Sequence, residues 1–355
     1  MVQRLPQSVV PAGHHLVIAM DKDQIRKQRR AAAHLKLDLE AGDKVVQLIS
    51  RESGLFAVTL KQILRVQTPD ELDPSLEHPD APWGQSIYLP HGSADSLVAR
   101  TILQTRDLAD IFFGRGSQEH RALMDISWEV LNSLVSIRVM KDRLEKRIVE
   151  IAEMIEEDRD AYTKGQSPKP LPIVEYYDIE FRSFVNEVRR ALATISNLFA
   201  VLTPKDFGQG HFHKALEWAR REHGEQSLLA QMLGNDQRWI KLWIDMRIAI
   251  EHPEKDKFIE TINFTLEADR NIRLPTWRFV HPDYDMARPQ NLLIAFDNCT
   301  NNILKFYEDL QVVLVDGHLP TSVKVRAEYV EEKHRNPTAP KRVLFRPMLG
   351  AANNS

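Results

Sequence analysis

The segment from Trp239 to Pro253 contains two residues that could together do acid–base chemistry on a phosphate group. Arg247 and His252 lie five positions apart, at the end of a predicted helix that Pro253 stops. A guanidinium holds phosphate oxygens through paired hydrogen bonds, and an imidazole takes up or releases a proton near neutral pH. Such a pair could activate a ribose 2′-hydroxyl and protonate a leaving oxygen, which is the chemistry of RNA cleavage.

The helix that must position this pair has one apolar face. Arg247 lies beside that face, and His252 falls in the last turn, where the helix dipole favours a protonated imidazole by about 0.3–1 kcal/mol. We therefore expect the two side chains to lie within reach of each other. Apolar residues spaced by four, three and four positions define the face: Trp239, Trp243, Met246 and Ile250.

The spacing of Arg, four residues, then His also occurs at Arg29 with His34 and at Arg115 with His120. The first of these pairs lies outside any pattern of packed helices, and the second crosses a glycine-rich helix start. The pair at Arg247 and His252 is the one whose neighbours predict a helical bundle, so it is the catalytic candidate.

Around Arg247 and His252 the sequence resembles the HEPN superfamily, whose hallmark is Arg, four to six residues and His at the end of one bundle helix. The hallmark reads here Arg247-Ile-Ala-Ile-Glu-His252-Pro253. The flanking pattern is similar too, with a long helix at Tyr176–Thr203, short helices, a tryptophan-bearing helix and a closing helix. The resemblance covers about residues 175–316.

The resemblance implies a helical bundle that forms a homodimer and brings two Arg–His pairs into one cleft. In active members it implies ribonuclease activity that needs no metal ion or other cofactor. Active members usually carry a polar residue directly after the arginine, and Ile248 stands there in this sequence. A second hypothesis is therefore a non-catalytic helical scaffold or dimerisation protein built on the same helices.

A third hypothesis is nucleic-acid binding through a basic cluster near the N-terminus. Arg26, Lys27, Arg29 and Arg30 lie on one predicted helix that Asp21 caps, and cations grouped in this way can contact phosphates. The net charge of the whole chain is only −3, so any attraction to nucleic acid must be local.

The remaining composition narrows the function classes. Cys299 is the only cysteine, which excludes an internal disulfide and a cysteine-based metal site and is typical of a reducing compartment. His211 and His213 are two positions apart and are expected on opposite sides of a helix, so we expect no metal site there. No apolar run is long enough for a signal segment or a membrane span. We therefore expect a cytoplasmic protein without membrane contact.

The hydrophobic periodicity favours a mainly α fold, with a HEPN-like helical bundle preceded by a long-helix region and a small α/β piece at the N-terminus. The longest pattern, from Gln118 to about Thr163, predicts one long helix with an apolar stripe. The expected organisation by residue number is a mixed α/β segment 1–68, a proline-rich loop or linker 69–96, the long-helix region 97–164, a linker 165–174, the bundle 175–316, two strands within 317–347 and a tail 348–355.

Overall fold

The computed structural model describes residues 21–31, 36–165, 168–315 and 324–348. The chain divides into two compact units, residues 1–90 and 91–355. The predicted tail, apart from its first residue, lies outside the described residues, and so does His34. Within the described ranges, no helix combines the length and the hydropathy that crossing a bilayer requires.

The mainly α fold class predicted above is wrong. About 53% of the chain is helical and 17% is strand, and the described residues form four antiparallel sheets, so the protein is mixed α/β. Five of the strands lie between the last two long helices, inside the region predicted as a bundle. They are two to five residues long and mostly half-buried, so neither strict alternation nor a continuous apolar run marks them in the sequence.

The first unit is a four-stranded antiparallel sheet with two helices. A hairpin at Glu52-Ser53-Gly54 joins its first two strands. The segment 69–96, predicted as a loop or linker, contributes a short helix and the edge strand β4, whose residues are mostly exposed and therefore lack apolar alternation. The elements are α1 (Lys22–Ala31), β1 (Val45–Arg51), β2 (Gly54–Thr59), β3 (Ile63–Gln67), α2 (Pro69–Leu72) and β4 (Gly84–Leu89).

The second unit is built on four long helices, with short helices and three small sheets around them. A π-helical segment, Ala99–Leu103, joins its first two helices. The elements are α3 (Ser96–Val98), α4 (Gln104–Phe112), α5 (Gln118–Glu157), α6 (Arg159–Thr163), α7 (Tyr177–Leu202), α8 (Phe212–His223), α9 (Leu228–Glu251), β5 (Phe258–Ile262), β6 (Thr265–Leu266), β7 (Ile272–Arg273), β8 (Thr276–Val280), β9 (Gln290–Asn291), α10 (Leu292–Val315), β10 (Lys324–Tyr329) and β11 (Val343–Met348).

The long helix predicted from Gln118 is confirmed as α5, which packs along α7. It ends at Glu157, before the predicted end at Thr163, because Asp158 leaves the helical conformation (φ −122°, ψ 33°) and α6 begins after it. Most residues of the predicted stripe are buried: Leu123, Ile126, Val130, Leu134, Ile137, Met140, Leu144, Ile148 and Ile155.

Helix α9, which carries Arg247, is longer than the sequence suggested. It begins after Ser227, whose Oγ accepts a hydrogen bond from the N–H of Ala230 (3.2 Å), and it continues through Gly234 without a break. Asn235 and Asp236, whose residue types favour helix caps, lie within it. Buried apolar residues before Gly234 (Leu229 and Leu233) and after it (Ile240 and Trp243) face the core, and tertiary packing of this kind overrides a single helix-breaking residue.

An aromatic cluster fixes α9 against its neighbours. Phe184 of α7 stacks on Phe296 of α10 (ring centroids 3.9 Å apart) and meets Trp243 of α9 edge-on at 5.1 Å. Large aromatic contacts of this kind are both strong and geometrically specific. The cluster therefore holds three helices in register, one turn before Arg247.

Candidate functional site

Arg247 and His252 both reach the surface at the end of α9, but the structure pairs Arg247 with Glu251 and not with His252. Nη2 of Arg247 lies 2.6 Å from Oε1 of Glu251, and both side chains are more than one-third exposed. His252 is the exposed residue that follows the helix, and its N–H donates to the carbonyl of Ile248 (2.7 Å). An exposed ion pair one helical turn apart is worth only about 0.3–0.5 kcal/mol, so a phosphate could take the place of Glu251.

A second arginine, Arg189 of α7, lies close to Arg247. Its pKa is lowered first by burial and then by the positive charge of Arg247, while Glu251 acts in the opposite direction. Two guanidinium groups therefore share the field of one carboxylate, which leaves this surface attractive to an anion. Arg189 was not among the candidates from the sequence, because nothing in its local pattern separates it from the other basic residues of the chain.

The loop before α8 keeps Arg189 in position. Nη2 of Arg189 donates to the carbonyl of Gln209 (3.1 Å), and the N–H of Gly210 donates to Oγ of Ser196 (3.0 Å). Gly210 has φ +77°, and a Cβ there would lie 3.2 Å from Nη1 of Arg189. Glycine is needed at this position both for the backbone conformation and for the close approach of the guanidinium.

One group of side chains in the described ranges has the geometry to hold a metal ion. Ligand atoms of Asp245, His281 and Asp283 lie within 4.8 Å of one another. Nζ of Lys241, however, is 2.6 Å from Oδ2 of Asp245 and 3.2 Å from Oδ2 of Asp283. The lysine ammonium thus bonds to both aspartates and lies where a bound cation would lie. The hydroxyl of Tyr284 also donates to Asp245 (2.7 Å), and burial, followed by this hydrogen bond, raises the pKa of Tyr284 to about 12.

The pair Arg115 and His120 converges on one carboxylate, that of Asp110. Nη2 of Arg115 is 2.9 Å from Oδ2, and Nε2 of His120 is 3.0 Å from Oδ1. Burial alone would raise the pKa of Asp110, but the hydrogen bonds from Arg115 and His120 outweigh it and lower that pKa. The contacts tie the end of α4 to the start of α5, which is a structural role.

The residues of the N-terminal basic cluster lie in different environments. Arg26 and Lys27 are exposed, and the side chain of Arg30 lies outside those described. Arg29 is buried and forms ion pairs with Asp70 (2.7 Å) and Asp73 (2.6 Å). Its guanidinium also donates to three backbone carbonyls. Arg29 therefore anchors α1 to the segment after α2 inside the first unit, and it does not offer its donors to a phosphate.

The Arg29 anchor makes the first unit sensitive to acid. Hydrogen bonds from the backbone of His78, from Ser75 and from Arg29 hold the pKa of Asp73 well below its ordinary value of 3.8. A carboxylate with a lowered folded-state pKa stabilises the fold fully above its ordinary pKa, and this stabilisation is lost as the pH falls toward the folded-state value.

We therefore expect hydrogen exchange in β2 and β3 to accelerate as the pH drops below about 4, after correction for the intrinsic rate. The Asp73→Asn protein should exchange faster already at neutral pH and should lose most of this acid dependence. Asp70→Asn, which removes the exposed partner of the same guanidinium, is the matched control and should behave nearly as wild type. Equal exchange in both variants would contradict this interpretation of the Asp73 contacts.

A scan against protein-family models and searches of curated proteins and of solved structures found no match for this chain. Its resemblance to the HEPN superfamily therefore stays a prediction, carried by the residues around Arg247 and His252.

Proposed function

We propose that this protein cleaves RNA without a metal ion at the end of α9. Arg247 and Arg189 bind the phosphodiester, and His252 transfers the protons. The observation that carries the proposal is the exposed ion pair of Arg247 with Glu251 (2.6 Å) at the last residue of α9, directly before the exposed imidazole of His252. Arg189 acts electrostatically on the same surface, because its pKa responds to both Arg247 and Glu251.

The reaction needs one base and one acid. A neutral His252 accepts the proton of the ribose 2′-hydroxyl while the O2′–P bond forms. A protonated imidazole, supplied by His252 of a second copy, gives its proton to O5′ as the P–O5′ bond breaks. The products are a 2′,3′-cyclic phosphate and a 5′-hydroxyl. The arginines stabilise the negative charge that grows on the phosphorane oxygens, so no redox partner or further reactant is required.

Exposed apolar side chains near the site support a homodimer. The start of α7 and the end of α9 line a common crevice, with Phe181, Ala249 and Ile250 among its walls. Ile248 of α9 is 47% exposed and Ile179 of α7 is 54% exposed. A second copy that covers these side chains would remove apolar surface from water and would bring a second His252 toward the first.

The test is the chemistry of the cleaved ends. The purified full chain, incubated with single-stranded RNA in excess EDTA, should give fragments that end in 2′,3′-cyclic phosphate and begin with 5′-hydroxyl. DNA of the same sequence should stay intact, because it lacks the nucleophile. RNA that also stays intact, or fragments that end in a plain 3′-hydroxyl, would contradict the proposal.

The Arg247–Glu251 ion pair also supports the second hypothesis, a non-catalytic dimerisation scaffold. In that case the pair and the exposed Ile248 belong to an interface. RNA would then stay intact, while Glu251→Ala and Ile248→Asp would weaken self-association in sedimentation experiments.

A further inference from the structure

A cavity of about 360 Å³ opens in the second unit between α7, the start of α8 and the middle of α9. Its volume lies in the range of pockets that hold small organic ligands, roughly 300–1,000 Å³. Neither Arg247 nor His252 is among its lining residues. Arg189 lines the cavity and is shared with the proposed cleavage site, but the other lining residues belong to the cavity alone, so a ligand can bind here whether or not the protein cleaves RNA.

Basic side chains reach this cavity from different elements. Arg189 comes from α7, His211 and His213 from the start of α8, and Lys241 from α9. The two imidazole rings lie 5.5 Å apart. The expectation that they point to opposite sides of a helix is wrong, because His211 precedes α8 in a non-helical conformation (φ −82°, ψ 53°) and only His213 belongs to it.

The charge of the cavity is positive once its internal pairs are counted. Its acidic lining residue, Asp245, is already bonded to Lys241 (2.6 Å) and to the hydroxyl of Tyr284 (2.7 Å). Arg189 and the two imidazoles remain for a ligand. The pKa of His211 is lowered, first by burial and then by the positive charges of Lys214, His213 and Arg189, which is the electrostatic environment that a bound anion relieves.

The other walls are suited to a flat organic group. Phe212, Ile240 and Ile244 are apolar, and Gln209 and Gln237 also line the cavity. An amide side chain offers both a donor and an acceptor, which is the pattern needed to bond the edge of a nucleobase. Basic groups that suit an anion, apolar walls and amide side chains together describe one class of ligand.

We propose that this cavity binds a nucleoside monophosphate, with the phosphate against Arg189, His211 and His213 and the base against the apolar face that Ile240 and Ile244 form on α9. The phosphate-bearing nucleoside could be a free nucleotide or the phosphorylated end of an RNA strand, because both present the same groups to the cavity.

The test is isothermal titration of the full chain with the four common ribonucleoside monophosphates. Inorganic phosphate and the matching nucleosides serve as ligand controls. At least one nucleotide should bind saturably and at least about tenfold more tightly than phosphate or nucleoside alone, since each half of the ligand contributes contacts. Phosphate that binds as tightly as every nucleotide, or no saturable binding, would overturn the proposal.

Two variants locate the binding. Ile244→Trp places a larger side chain in the space proposed for the base. His213→Ala removes a hydrogen-bond donor to the phosphate from an exposed position. Each variant should weaken binding about tenfold or more. Arg238→Ala, which removes an exposed cation next to Gln237 but outside the lining, should leave it unchanged. Nucleotide affinity that survives both Ile244→Trp and His213→Ala would overturn the assignment to this cavity.

Competition with short RNA distinguishes a free nucleotide from the phosphorylated end of an RNA strand as the ligand. An RNA tetramer with a terminal phosphate displaces the nucleotide if strand ends are bound, and its dephosphorylated form does not. If neither displaces it, the free nucleotide is the ligand. Binding that persists in the His252→Ala protein separates this site from the proposed cleavage site, whichever result the cleavage assay gives.

Discussion

The His252→Ala protein is expected to cleave RNA about 10²- to 10⁴-fold more slowly than the wild type, the usual loss when a positioned acid–base group is removed. His252 is exposed at the end of α9 and makes no side-chain contact that holds the described part of the fold together. The melting temperature should therefore stay nearly unchanged, so that lost activity cannot be attributed to unfolding. The measurement is the initial rate on a fluorophore-labelled single-stranded RNA in EDTA.

His223→Ala is the matched control, because His223 is also an exposed histidine at the end of a helix, α8. It should cleave at the wild-type rate. Arg247→Lys keeps the positive charge but loses the two-point geometry of a guanidinium, and it should fall between His252→Ala and wild type. A His252→Ala rate equal to wild type would remove His252 from the mechanism.

The Glu308→Ala protein is expected to lose about 3–5 kcal/mol of unfolding free energy, the cost of leaving buried charges without their partner. Glu308 of α10 is fully buried. Its carboxylate accepts hydrogen bonds from Arg100 (2.9 and 2.6 Å) and from Arg342 (3.0 Å). These contacts join α10 to the π-helical segment and to the start of β11. Removal of the carboxylate leaves two largely buried guanidinium groups close together.

The matched control for Glu308 is Glu150→Ala in α5, where the carboxylate is exposed and lies 3.8 Å from Lys146. Surface pairs of this kind contribute between nothing and about 1 kcal/mol, so the urea transition should hardly move. Tryptophan fluorescence and far-ultraviolet circular dichroism should both be followed, because a chain with two units need not unfold in one step. A Glu308→Ala transition that coincides with that of Glu150→Ala would contradict this account of the buried network.

Helix α5 shows what the sequence could predict. A stripe sustained over about nine turns does not arise by chance from composition, and most of its residues are buried as the spacing requires. The strands after α9 show the opposite case. Strands such as β6 and β7 have two residues each. They form because they pair with each other, so no local pattern of hydrophobic residues could predict them.

The candidate site likewise has features that the sequence could predict and features that it could not. The exposure of Arg247 and His252 at the end of α9 follows from helix periodicity. The choice of Glu251 as the partner of Arg247 depends on a competition between similar weak contacts, which spacing alone does not decide. The approach of Arg189 and the cavity beside it depend on the packing of α7 against α9 and on the loop at Gly210, which are tertiary facts.

Arg29 shows how a basic cluster can mislead. Four cations on one short helix look alike in the sequence, yet Arg29 faces inward and is neutralised by acids that lie about forty positions further along the chain. Its partners come from the segment 69–96, which the sequence suggested was a linker. Because the acids that pair with Arg29 lie in that segment, the pattern of the basic cluster alone cannot show which of its cations is buried.

The most direct test of the central claim is to map where RNA contacts the chain. The His252→Ala protein, which is expected to cleave too slowly to consume the RNA during the experiment, is photo-crosslinked to single-stranded RNA that carries 4-thiouridine. The crosslinked peptides are identified by mass spectrometry. The account predicts crosslinks in α7 around Arg189 and at the end of α9 around Arg247, and their loss in high salt. Crosslinks confined to the first unit, or none at all, would contradict it.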